Sequence, residues 1–207
     1  MNSKIIGIVI LVVAIGGSSA YFLTKNDSID TISSQSDQIS QSDPISQNEK
    51  IGLVINTINP PTGIDDVENS YKIASTSGIG RTNLYVHWDQ LEPEKGKFDW
   101  RVTDIMMKLN EKYNLKTTLY FSVINADRLG PFPSWMGNQI IGKSLETDTA
   151  RVLDAILSRY ENIDYVIFAA DIDYYFQRAP GTIPSYVEFF NNVSSEIKSN
   201  HPDIKIG

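Results

Sequence analysis

Short apolar runs alternate with segments of helical periodicity along most of this chain, and that alternation limits its fold more than any other feature. Residues 51–56, 83–88, 116–124 and 165–171 read as strands, and 204–207 as the start of a fifth. Between them, apolar residues recur every three or four positions: Ile64, Val67, Tyr71 and Ala74; Ile105, Met106, Leu109 and Tyr113; Val152, Ile156, Leu157 and Tyr160; Tyr186, Phe189, Phe190, Val193 and Ile197. Gly78 and Gly80 close the first helix, and Ser185 with Glu188 reads as a capping box opening the last. Strands alternating with helices predict βαβ units, a parallel sheet and right-handed crossovers. Periodicity leaves open whether the sheet is open and doubly wound or closed into a barrel. No G-x-G-x-x-G or Walker-type glycine loop follows the first strand, which removes support for nucleotide binding.

The chain has 207 residues and a net charge of −7. That length suits one globular domain and falls short of a complete (β/α)8 barrel, which takes about 250 residues. The acidic balance argues against nucleic acid and against docking on anionic lipid through basic patches. With no cysteine, disulfides, thiolate metal sites and thiol catalysis are excluded. The two histidines, His87 and His201, cannot build a histidine-rich metal site, and neither a metal nor a cofactor is expected. His201 precedes Pro202 and reads as a solvated helix end, whereas His87 lies in a strand-like run and faces either the core or a site.

Residues 5–23 carry no charge across 19 positions and follow Lys4. A helix of that length spans about 28 Å, close to the hydrocarbon thickness of a bilayer. The run reads as a single-pass transmembrane anchor; a signal peptide cleaved near Ser18 and Ala20 is the alternative. Either places the domain outside the cytoplasm. Residues 26–50, rich in Ser, Gln, Asp and Asn, read as a disordered stalk with little to bury. The expected organisation is therefore an anchor or signal over 1–25, a stalk over 26–50 and a domain over 51–207. Asn26 and Asn192 open glycosylation sequons.

Thirteen residues decide between the two sheet architectures. Trp88, Leu91, Glu92, Pro93, Gly96, Phe98, Asp99 and Trp100 stand at the spacing found after the second strand of many (β/α)8 glycoside hydrolases. The stretch resembles the β-galactosidases, cellulase-like and xylanase-like enzymes of that superfamily, and the strand and helix order from 51 to 207 agrees. The resemblance implies a partial TIM-type (β/α) barrel of about four βα units, with substrate at the C-terminal ends of the strands. Trp88, Leu91, Pro93, Phe98 and Trp100 are expected to brace the loop after the second strand, with Trp88, at a strand end, the one most open to sugar contact.

In the family this chain resembles, the general acid/base is the Glu of an Asn-Glu pair ending the fourth strand. Here Ala170 and Asp171 occupy those positions. Asp171 is thus the candidate acid/base, with a shorter side chain and without the neighbouring amide. The second carboxylate belongs to a seventh strand, and nothing here takes that role. Asn56, Asp89, Asn125, Arg128, Trp135, Asp173 and Tyr174 are further candidates to line a sugar cleft, Trp135 alternatively anchoring its own loop. The expected function is a membrane-tethered glycoside-hydrolase-like protein, truncated or inactive. The alternatives are a carbohydrate-binding or surface-interaction protein, or a structural envelope protein, on the same scaffold. Carbohydrate is the expected ligand. A half barrel leaves edges and an inner face uncovered, so a homodimer or a partner chain is expected to complete it.

Overall fold

The computed structural model describes residues 12–14, 46–55 and 63–207. Five strands run parallel: β2 (Asn48–Leu53), β3 (Ile79–Val86), β4 (Lys116–Asn125), β6 (Ile163–Ala170) and β7 (Lys205–Ile206). They lie side by side in that order. A short strand β1 (Val12–Ala14) pairs antiparallel with β2 at one edge, and β5 (Arg128–Leu129) folds back on the end of β4. The crossovers carry α1 (Ile64–Thr76), α3 (Arg101–Lys112), α4 (Lys143–Arg159) and α6 (Ile183–Asn200). Two short helices, α2 (Trp88–Leu91) and α5 (Ile172–Arg178), follow directly on strand ends.

The helices decide the architecture. Tyr71 of α1 meets Leu109 of α3, Arg159 of α4 pairs with Asp104 of α3, and α4 shares a core with α6. They line up in strand order on one face of the sheet, whereas a doubly wound sheet divides its helices between two faces. Alternate strand residues feed this helix side: Val86 of β3, Leu119, Phe121 and Val123 of β4, and Val166 and Phe168 of β6 are all buried in the main core. The other set, including Arg81, Tyr85, Thr118, Tyr120 and Tyr165, lines the opposite, inner face. The fold is a wall of a (β/α) barrel.

Several boundaries depart from the sequence reading. Strand β2 begins at Asn48, inside the expected stalk, because Asn48 N–H bonds Gly78 O at 2.9 Å and the Gln47 amide donates to Tyr113 O at 3.1 Å. Asn48 is exposed and Gln47 half-buried, and both are polar, so no apolar signal marked them. Strand β3 begins at Ile79, because Gly80 lies so close to β2 that a Cβ there would stand 2.6 Å from the Asn48 carbonyl carbon. The face of α3 is rotated: Ile105 is 43% exposed, while Thr103 and Asn110 are buried. Asn110 earns that place by accepting from Thr82 at 2.8 Å and donating to Thr117 at 2.9 Å, which ties α3 to β3 and β4. The capping box does not form. Helix α6 starts at Ile183 after a 3-10 turn, with Pro184 in its first turn and Ser185 already inside.

The helix expected over 5–23 is not what Val12–Ala14 form; these three residues are a strand, a conformation that β-branched Val12 and Val13 favour. The remainder of 5–23 and residues 26–45 lie outside the described residues, as does Asn56. Among the described residues no helix is long and apolar enough to cross a membrane.

Candidate functional site

The C-terminal ends of β3, β4 and β6 gather the chemistry. Asn125 ends β4 opposite Ala170 of β6, and Ala126 N–H bonds Ala170 O at 3.0 Å, which locks the two ends level. Asp171 follows at once, in the left-handed region at φ 52°, ψ 38°, as the first turn of α5 begins. Asp tolerates that conformation better than most residues. The reversal leaves Asp171 exposed, with no cap bond from its side chain, and no ion pair to it forms among the described residues. Asp173 and Tyr174 lie on α5 beside it, Tyr174 56% exposed. An ion pair between Arg178 of α5 and Asp127 holds the short helix against the loop after β4.

Below this rim, Tyr85 of β3 and Tyr120 of β4 stand in register on the inner face. Their rings stack at 4.6 Å with 19° between planes. Tyr85 is 46% exposed, unusual for a mid-sheet aromatic. Burial, and then the charge of Asp171, pushes the Tyr85 hydroxyl up; burial, the Tyr85 neighbour and Asp171 do the same to Tyr120. Neither tyrosine was a candidate from sequence, because both lie in strand runs that read as buried.

Trp88 braces the loop, as expected, and is not the exception open to sugar. It opens α2 rather than ending a strand and is 1% exposed, and its indole packs between Phe121 and Phe132. No ring face remains for sugar. Its N–H donates at 2.8 Å to Glu92, the residue that organises this region. Glu92 is fully buried and also accepts from Gly96 N–H at 2.6 Å and from Arg151 of α4 at 2.8 Å. Gly96 reaches the carboxylate at φ +75°, which explains glycine at that point of the stretch. Burial alone would push the Glu92 carboxyl up, but the bonds from Arg151, Trp88 and Gly96 outweigh it and hold the group below the usual range.

Trp135 anchors its own loop: its N–H bonds Glu92 O at 3.0 Å, and Lys95 lies over its ring. Phe98 and Trp100 stack at 4.8 Å and brace the loop as expected, whereas Pro93 is exposed. Asp89, beside the end of β3, is half-buried, and one of its carboxylate oxygens is buried without a partner among the described residues. His87 is exposed on the rim of a small cavity beside Gln90 and Asp99, and His201 is paired with Asp154 at 3.0 Å at the end of α6. Asp171, Asn125, Asp173 and Tyr174 thus share one rim; Trp88 and Trp135 belong to the packing beneath the neighbouring loop; Arg128 is exposed on β5.

No family model matches this chain, and no curated protein matches it. Solved structures do. A family 39 glycoside hydrolase from Bacteroides cellulosilyticus superimposes with a TM-score of 0.54 at 17% identity, over 75% of this chain and 30% of that one. An exo-beta-1,4-mannosidase from an Opitutaceae bacterium gives 0.53 at 15% identity, over 69% and 27%. A GH5_18 protein from Streptomyces cattleya, in complex with Manb1-4GlcNAc, gives 0.54 at 12% identity, over 70% and 39%. The fold is part of the (β/α) barrel that these glycoside hydrolases have, and the chain spans 27% to 39% of their length.

Proposed function

We propose that this chain is a membrane-tethered, extracytoplasmic unit of glycoside-hydrolase type that binds carbohydrate at the C-terminal ends of its strands and alone hydrolyses no glycosidic bond. One observation carries the binding reading: Asp171 presents a carboxylate without an ion-pair partner among the described residues at the end of β6, the fourth full parallel strand, beside Asn125. A barrel of this kind places its ligand there. The solved neighbour holding Manb1-4GlcNAc makes a β-linked sugar the natural first ligand to try.

Inactivity follows from the chemistry of the rim. Glycoside cleavage normally takes two carboxyl groups, one protonated and one ionised, on either side of the bond. Asp171 offers one, with Ala170 where an amide would steady the sugar. The purified full chain is expected to show no turnover on a panel of aryl glycosides and oligosaccharides. Turnover that disappears in Asp171→Ala would overturn this and make Asp173 or Asp89 the second acid.

The tether rests on the uncharged run of 19 residues after Lys4. Insertion into a bilayer would take Val12–Ala14 off the β2 edge, and a second copy or a partner chain would then cover edge and inner face. The protein is expected to sediment with membranes. External protease is expected to cut within 26–47 and release a domain that runs larger than a monomer in sedimentation. Recovery in the cytosol with an intact N-terminus would remove the tether, and a well-behaved monomer would remove the partner.

A further inference from the structure

Six arginines lie among the described residues, and Arg81, Arg101, Arg151, Arg159 and Arg178 are each held in an ion pair. Arg128 is the exception: it is exposed, and its guanidinium meets no carboxylate, carbonyl or ring among the described residues. In a chain of net charge −7, carboxylates to pair with it are not scarce. Its backbone is fixed. Arg128 stands opposite Asn125 and Leu129 opposite Ile124 in a two-residue hairpin, and Gly130 N–H bonds Val123 O at 2.8 Å. Asn125 stands in turn opposite Ala170 of β6, with Asp171 next in the chain. Residues opposite each other in a sheet project on one face, so Arg128, Asn125 and Ala170 share it. Two interstrand steps set the Arg128 backbone about 10 Å from that of Ala170. The row runs from cation through amide and methyl to the Asp171 carboxylate, and neither charge is paired within the described residues.

We propose that Arg128, with Asn125 beside it, holds the carboxylate of a uronic acid unit in the bound sugar. The proposal deepens the carbohydrate-binding reading above and rests on it. A guanidinium offers a planar fork of N–H donors, and a carboxylate returns two oxygens at matching spacing. The Asn125 amide adds a donor on the same face. Ala170 carries only a methyl, which leaves room over the row between Arg128 and Asp171. Asp171, an acceptor without N–H, suits the sugar's hydroxyl donors rather than its acid. One guanidinium, with Asp171 and Asp173 on the same rim, fits a sugar bearing a single carboxylate and not a densely charged polyanion. A neutral hexose places a hydroxymethyl group where the acid would stand and gains no charge-assisted bond.

The test is titration of the full chain in detergent, by calorimetry, with cellobiouronic acid and with cellobiose, which differ by one carboxylate. Manb1-4GlcNAc, run beside them, tests the carbohydrate reading separately. The acid is expected to bind about tenfold tighter than cellobiose, the worth of one charge-assisted contact, and to lose part of that advantage as salt is raised. Arg128→Gln is expected to abolish the preference and leave cellobiose binding unchanged. Arg128→Lys is expected to keep part of it, since the charge remains and the fork does not. Lys108→Gln, an exposed change on α3 away from the rim, controls for general attraction between charges. Equal binding of the two disaccharides, or preference for cellobiose, would overturn the uronate site, and binding of Manb1-4GlcNAc would leave the carbohydrate reading standing. A preference for the acid that survives Arg128→Gln, or that Lys108→Gln reduces equally, would overturn the site too. Binding of none of the three sugars by a folded chain would overturn both readings.

Discussion

Glu92→Ala is expected to lower the stability of the folded domain by about 3 kcal/mol, a large share of what a domain this size has. The carboxylate is fully buried and serves Trp88, Gly96 and Arg151 together. Its removal strands two N–H donors and leaves the Arg151 guanidinium beside a cavity. Arg151 is 34% exposed and recovers some hydration, which sets the figure at the low end for a broken buried pair. Glu92→Gln keeps the volume and one acceptor, so about half that loss is expected. Chemical denaturation reads both, and a Glu92→Ala midpoint within error of the parent would mean that the network is not coupled to folding. The pH dependence has a definite sign. The folded-state carboxyl sits below its ordinary value of 4.5, so its contribution is complete above that value and is lost as pH falls through the depressed one. In Glu92→Gln this part of the acid sensitivity should disappear.

That network also shows what the sequence could carry. The thirteen residues from Trp88 to Trp100 pointed to the right architecture, and they did so because their spacing serves one buried carboxylate. Trp88, Gly96 and Glu92 must stand four apart for the bonds to close. What the spacing could not reveal is direction. Trp88 was read as bracing the loop from a strand end and as the bracing residue most open to ligand, yet the strand stops before it and α2 carries the indole inward. The paired tyrosines escaped notice for a related reason. Tyr85 and Tyr120 alternate with helix-side Val86 and Phe121, and nothing in a mostly apolar run says which face will be covered. Asp171 was legible from its place after a strand; its left-handed backbone was not. The edges of β2 and β3 were missed because they are drawn by backbone bonds, by the close approach of Gly80 and by Arg81, none of which leaves a hydrophobic pattern.

Arg81→Ala is expected to be the second large loss, about 2–3 kcal/mol, and for a reason specific to an open sheet. Arg81 is 4% exposed on the inner face, near the N-terminal ends of the strands. Its guanidinium grips Asp164 with both terminal nitrogens, the second at 2.7 Å, donates to Thr118 at 3.2 Å and to Glu49 O at 2.9 Å, and lies over the Tyr165 ring. One side chain of β3 thereby reaches β2, β4 and β6. A bulge in the β4–β6 register at Thr117 and Thr118 lets both Asp164 and Tyr165 meet it. With no helix on this face among the described residues, these bonds replace the apolar packing that holds the helix side together. Arg81→Lys should recover little, because a single ammonium cannot satisfy both Asp164 oxygens and still reach Glu49 O. Asp164 is 32% exposed, so Asp164→Asn should cost less than Arg81→Ala. The double variant should fall short of the sum, since the two changes break the same contact. Strict additivity in that cycle, or a stability for Arg81→Ala equal to the parent, would show that the inner face is held by something other than this residue.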